Sequence, residues 1–247
     1  MGNFSSTMRT LVTLLAGWQA IVWIWTPPRY ILPAPLDVLA AMQRQPLFLL
    51  QNSLVTLAEV LAGFALGCVL GALTALGMAA WPRLGRLVWP IVLVLQAFPV
   101  FVIAPLLVIW LGFGMPSKVV MATLIIFFPV TSAFGDGLRR IEPDLLDATA
   151  LTDASHWQTL WHIRVPLALP SLVSGLRVAA PLAPLGAVVG EWVGASAGLG
   201  FVMIQANARM QTDMVFAAMT ILAALTLLLR HAVDRMAPHL TPWAQEQ

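Results

Sequence analysis

Three ionisable side chains fall inside long apolar runs of this chain: Glu59, Arg177 and Glu191. A charge among hydrocarbon is costly, so such groups are either paired or line a polar path. For each of the three, an Arg177–acid structural pair and a place on a solute path stand as the two readings. Glu191 is followed by Trp192, and together they are the candidate gate pair. Gln96 is the one amide in its apolar run, beside Phe98 and Pro99. Pro99 and Pro105 free backbone carbonyls there, and such breaks are tolerated at membrane depth where they line a cavity. Gln96, Glu191 and Trp192 are therefore the expected path residues. Glu59 and Glu191 stand alone, and no histidine lies at depth, so no nucleophile–base set or acid pair is visible and the chemistry expected is recognition.

The elements that must position these groups follow from composition. The 247 residues are 60% hydrophobic and 10% charged, with mean hydropathy +0.86. Soluble domains carry about 25% charged residues, so the expected class is an all-α polytopic membrane protein in a single domain, 1–247. The apolar runs are continuous, which disfavours a barrel. A net charge of +2 is too small to imply nucleic acid, and the single Cys68 excludes a disulfide framework. Six spans are expected, at about 8–26, 54–80, 87–110, 119–137, 168–192 and 213–231. The first, ending in Trp25 and Pro27-Pro28 with no small-residue cleavage site, reads as a retained helix. Nine Lys and Arg fall on the face holding both termini (Arg9, Arg83, Arg86, Arg139, Arg140, Arg164, Arg177, Arg230, Arg235) and four on the other (Arg29, Arg44, Lys118, Arg209). This asymmetry places both termini in the cytoplasm. In the first outer loop, Leu36–Gln43 reads as a short interfacial helix; in 194–212, the Gly198-Leu-Gly200 run and polar residues read as a short amphipathic helix at the outer surface. Gly63, Gly67 and Gly71, at steps of four, permit close approach of another helix, within the bundle or at a subunit interface.

Residues 142–166 form a polar island on the cytoplasmic side. Pro143 suits a first helical position, with Glu142 and Asp144 complementing the helix dipole. Asp153 suits a left-handed turn. Ser155-His-Trp-Gln158 fits a capping box opening a second helix that Pro166 and Pro170 are expected to end. His156 and His162 read as solvated. Gly112-Phe-Gly-Met-Pro-Ser-Lys118 has the look of a phosphate loop but lacks the full spacing and follows no strand.

The spacing Asp147-Ala148-Thr149, then Asp153, then Ile163-x-Val165-Pro166 resembles the EAA signature of permease subunits of bacterial ABC importers. That signature has Glu for Asp147, Ala for Thr149, Gly for Asp153 and Leu for Val165. Pro33-Ala-Pro35, Ala97-Phe-Pro99, Ala104-Pro105-Leu106, Trp110-Leu-Gly112-Phe-Gly114 and Leu169-Pro170-Ser-Leu-Val-Ser-Gly175-Leu-Arg177 are similar to the nitrate/sulfonate/taurine-type permease group. Glu191 to Gly200 and Gln205 to Asp213 resemble permeases for hydroxymethylpyrimidine, a thiamine precursor.

The resemblance implies a type I importer permease with a coupling-helix elbow. Asp147, Ala148, Thr149, Asp153, Ile163 and Pro166 would dock a cytoplasmic ATPase. It implies an inner-membrane transport subunit and no enzyme. The chain would bind no cofactor, with ATP and Mg used by the partner ATPase. The implied partners are a second permease copy as a homodimer, two ATPase subunits, a periplasmic or lipid-anchored substrate-binding protein, and membrane lipid. For a neutral aminopyrimidine, Glu191 would accept the exocyclic amine and Trp192 would stack. Nitrate, sulfonate or taurine, and riboflavin are the alternative solutes. A stand-alone channel or secondary transporter is the rival class; it would call for inverted repeats, and none is visible.

Overall fold

The computed structural model describes residues 2–97, 99–141, 145, 149, 151 and 153–244, the side chains of 2–8, 11 and 97 excepted. Every regular element among them is helical. The longer helices are α1 (Gly2–Trp25), α2 (Pro35–Arg44), α3 (Pro46–Ala80), α4 (Pro82–Ala97), α5 (Val100–Leu111) and α6 (Met115–Arg139). After the elbow come a short α7 (His156–Thr159), a π turn (Leu160–Arg164), α8 (Val165–Ala179), α9 (Leu182–Gly194), α10 (Leu199–Ala208) and α11 (Thr212–Leu240).

Four segments are long and apolar enough to cross a membrane: Pro46–Ala80, Met115–Arg139, the near-continuous run His156–Gly194, and Thr212–Leu240. A fifth crossing is available if Pro82–Gln96 and Val100–Leu111, which meet at 95°, count as one broken span. The span expected over 87–110 is thus two helices, with Pro99 at the start of the second and Pro105 accommodated inside it. Val12–Trp25 is a shorter apolar helix, below the roughly 20 residues of a full crossing.

Helix α6 is the axle of the bundle. Ala122, Ile126 and Val130, at steps of four, are fully buried. Against them lies the glycine stripe of α3. A Cβ on Gly63 would sit 2.4 Å from Ala122 Cβ, one on Gly67 2.7 Å from Ile126 Cγ2, and one on Gly71 3.0 Å from Val130 Cβ. The stripe therefore serves packing inside the subunit. Without a hydrophobic force between helices in lipid, this backbone proximity is what yields van der Waals attraction. Gly186 of α9 also meets Ala122, and Gly175 of α8 faces Ala133.

The prolines at 166 and 170 do not end the elbow's second helix, contrary to the sequence expectation. The chain stays helical from His156 through Ala179. The reason lies in the π turn, where Val165 N–H bonds to the Leu160 carbonyl, five residues back. The wider turn precedes Pro166, whose ring would otherwise crowd the preceding turn. Helix α2 covers the expected 36–43 element, with Val38 and Ala41 buried. Helix α10 buries Leu199, Val202, Met203 and Ala206 against the protein and exposes Gln205, Asn207 and Arg209. It is a bundle component with one wet face.

The charges used to orient the chain sort to opposite ends. Arg29 lies 4.0 Å from Asp37 and Arg44 3.7 Å from Asp213, beside the start of α11. At the other end Arg86, Arg139 and Arg164 share one cavity.

Candidate functional site

At the end where α3 begins, its buried face is polar: Asn52, Thr56 and Glu59 continue the line that the glycines occupy further along. Glu191, in the last turn of α9, is 1% exposed. Thr56 Oγ1 donates to Glu191 Oε1 at 2.6 Å and accepts from Leu199 N–H at 2.8 Å. Gly200 N–H donates to Glu191 Oε2, and Gly198 N–H donates to Asn52 Oδ1 at 2.8 Å. An anion at the start of α10 meets that helix's unpaired N–H groups and positive dipole end.

The two glycines have a geometric reason. A Cβ on Gly198 would sit 2.3 Å from the Glu191 carboxylate, and its φ of +110° is one that L side chains rarely adopt; a Cβ on Gly200 would sit 2.7 Å from Oε2. Glu191 and Gly198-Leu-Gly200 are one unit, a carboxylate pressed into a backbone nest.

Lys118, expected as an outer-loop charge, is 1% exposed. Its ammonium donates to the carbonyls of Phe113, Gly114 and Gly194. It thus satisfies the end of α9 and the turn after α5, where carbonyls lack helical partners and a cation is favoured. The segment resembling a phosphate loop is therefore a lysine closed onto carbonyls. Nor do the acids stand alone. The Glu59 carboxyl adjoins that of Glu191, with Lys118 acting on both. Glu59 and Lys118 line a cavity of about 380 Å³ together with Phe113, Met115 and Ser196. The sequence signal available was the charge at Lys118 so close to the apolar run of α6.

The structure does not bring the three path candidates together around a solute-sized space. Glu191 is enclosed, Trp192 points outward at 53% exposure, and Gln96 is exposed on α4. Arg177 is half-exposed and pairs with Asp234 of α11 at 2.8 Å, while Arg230 reaches the same carboxylate at 3.0 Å. This favours the paired reading for Arg177, with an acid that the sequence had not singled out.

At the opposite end lies the elbow. Asp147 and Ala148 fall outside the described residues. Thr149 is helical and half-buried, and Ile163 and Pro166 are half-buried beside Leu145 and Trp243 around a shallow cavity. Asp153 has φ +52°, the left-handed turn expected of it. Ser155 caps α7, accepting from Gln158 N–H at 3.3 Å while Gln158 Oε1 accepts from Ser155 N–H at 2.8 Å.

Beyond its own turns, the elbow is latched to the bundle. His156 Nε2 lies 3.1 Å from the Ala80 carbonyl at the end of α3, so this exposed histidine is anchored as well as solvated. The Trp157 ring stands edge-on to Trp81, with centroids 5.7 Å apart. Leu160 is buried with Ala75, Phe134 and Leu138, side chains of α3 and α6.

Comparisons with known proteins place this geometry. The family model described as binding-protein-dependent transport system inner membrane component matches residues 67–246. A probable ABC transporter permease protein of Haemophilus influenzae is 46% identical, over 90% of each chain. The formylaminopyrimidine transport permease protein ThiX of Halalkalibacterium halodurans is 35% identical, over 88% of each. The riboflavin transport system permease protein RibX of Chloroflexus aurantiacus is 37% identical, over 89% of this chain and 83% of that one. Among solved structures, an inward-facing MetNI methionine ABC transporter chain superposes with TM-score 0.69 at 22% identity, covering 80% of this chain and 98% of that one. That likeness establishes the fold.

Proposed function

We propose, from the premise that this chain belongs to the family of binding-protein-dependent transport system inner membrane components, that the importer it serves carries hydroxymethylpyrimidine or a related thiamine precursor. The chain itself is a multi-pass inner-membrane permease subunit of an ABC importer, a transport subunit and not an enzyme. Its family implies an ATPase and a substrate-binding protein as partners. The likeness to the formylaminopyrimidine permease supports the cargo assignment. Riboflavin is the second reading, supported by a relative of similar identity. Both cargoes are planar nitrogen heterocycles, for which the exposed Trp192 offers a stacking face and Gln96 an amide. In this reading Glu191 acts through the turn it holds.

Two copies form the pathway, as a homodimer with both termini in the cytoplasm. Each elbow docks one ATPase through Asp147, Ala148, Thr149, Asp153, Ile163 and Pro166. ATP and Mg belong to the ATPase, and this chain holds no cofactor. The observation that carries the coupling reading is the latch. His156 on Ala80, Trp157 on Trp81 and Leu160 between α3 and α6 tie the elbow to the two central spans. ATPase closure displaces the elbow, the latch passes the displacement to α3 and α6, and the pathway opens outward; hydrolysis resets it.

The test is ATPase activity of the reconstituted complex, with hydroxymethylpyrimidine, thiamine, riboflavin, taurine and nitrate added in turn. Hydroxymethylpyrimidine is expected to stimulate and Asp147→Lys to abolish the response. Trp157→Ala is expected to leave the complex assembled while cutting stimulation about tenfold, within the usual range of coupling energies. Stimulation by taurine or nitrate alone would replace the cargo assignment, and full stimulation with Trp157→Ala would remove the latch.

A further inference from the structure

A second cavity of about 380 Å³ opens beside the elbow, between α4, the end of α3 and the end of α6. Arg86, Arg139 and Arg164 line it, with Trp89, Met78 and Leu138 among the rest of its wall. Arg139 donates to Asp136 at 2.9 Å and its Cζ stands 4.5 Å above the Trp89 ring. Arg86 makes no ion pair among the described residues. Arg164 Nε is buried and has no hydrogen-bond partner among the described residues. Three arginines thus line one space with one carboxylate beside them, an excess of positive charge among the described residues.

A buried guanidinium N–H is costly to leave without an acceptor. Forked guanidinium donors match the several acceptor oxygens of a phosphate group. The rest of the wall is apolar, and the cavity sits at the end of the spanning helices, level with the loop that carries Arg83. A soluble anion has no use for Met78 and Leu138, whereas an acyl chain does. Basic cavities between spanning helices are a recurrent way of holding acidic lipid headgroups.

We propose that this cavity binds the phosphate group of an anionic membrane phospholipid, with its acyl chains along the apolar wall. The headgroup bridges Arg164, next to the latch and the elbow, to Arg86 of α4 and Arg139 of α6. The lipid therefore completes the contact between the elbow and the spans, and the proposal stands whatever the cargo is.

The test is binding to the delipidated, purified full chain in a neutral detergent. Short-chain dioctanoyl phosphatidylglycerol, dioctanoyl phosphatidylcholine and inorganic phosphate are titrated separately and followed by calorimetry. Phosphatidylglycerol is expected to bind about tenfold or more tighter than phosphatidylcholine, a difference of about 1.4 kcal/mol. The double variant Arg86→Gln, Arg164→Gln is expected to lose that preference. Arg86→Lys, which keeps the charge, is expected to retain most of it, and Arg29→Gln at the far end all of it. Should the double variant fail to fold, Arg86→Gln alone serves, since that side chain makes no ion pair to lose. Equal phosphatidylglycerol binding by wild type and a folded variant, or no preference over phosphatidylcholine, overturns the proposal. Inorganic phosphate binding as tightly as phosphatidylglycerol assigns the site to a soluble phosphate and overturns the lipid source.

Discussion

Gly186→Ala is expected to destabilise the bundle by about 3 kcal/mol, the upper range for overpacking a tight contact. The added methyl would lie 2.6 Å from Ala122 Cα and 3.2 Å from Ala122 N, backbone atoms that no rotamer change can move. Helix α6 has little room to retreat, because Gly63 of α3 presses on the same residue, where its own added Cβ would meet Ala122 Cβ at 2.4 Å. The two contacts differ in a way that can be measured. Gly63→Ala clashes with a side chain, so combining it with Ala122→Gly should restore most of the loss, since the helical glycine removed from α3 is offset by the one added to α6. Gly186→Ala clashes chiefly with backbone, so Ala122→Gly should restore little of it. Unfolding in mixed micelles of increasing denaturing detergent reads both. A wild-type transition for Gly186→Ala, or equal rescue of the two variants, would show that α3, α6 and α9 do not meet at Ala122.

The features legible in the sequence are those that local chemistry decides. Asp153 turns left-handed because few other residue types do so at low cost, and Ser155 with Gln158 caps a helix within four residues. The glycine spacing announced close packing, yet said nothing of which helix would fill it; that choice depends on a matching four-residue stripe on α6, some 60 positions away in the chain. Pro166 and Pro170 read as helix ends because their cost is local, and only the π turn before them shows how the cost is relieved. Lys118 was read as a topology marker, since a basic residue beside an apolar run usually is one. What makes it a buried cap is the arrival of Gly194, which belongs to another span. The partners of Glu191 are likewise remote: Thr56 is 135 positions distant. Charge at depth was visible as an anomaly, and its use required the third dimension.

Glu191→Ala is expected to be a folding variant before it is a transport variant. The carboxylate is buried and accepts from the Thr56 hydroxyl and the Gly200 N–H. Its removal leaves the Gly200 N–H without an acceptor and the Thr56 hydroxyl with only the Asn52 carbonyl at 3.3 Å, and opens space beneath the Gly198 turn, for a loss of about 3 kcal/mol. Glu191→Gln keeps one carbonyl acceptor but turns an N–H₂ toward the other donor, so roughly half of that loss should remain. Thr56→Val removes a hydroxyl that bridges Leu199 N–H to Glu191. Since Thr56 and Glu191 act as one network, the double variant should cost less than the sum of the singles by about 1 kcal/mol or more. The segment Ala195–Gly198, which these side chains hold, should become more susceptible to protease in the same order as the stability losses. A carboxylate whose role is to contact cargo behaves otherwise. Glu191→Ala would then melt like wild type, keep 195–198 as protease-resistant as wild type, and lose only cargo-stimulated ATPase. That pattern would return Glu191 to the solute path beside Trp192, and it would leave the two glycines at 198 and 200 without the carboxylate that explains them.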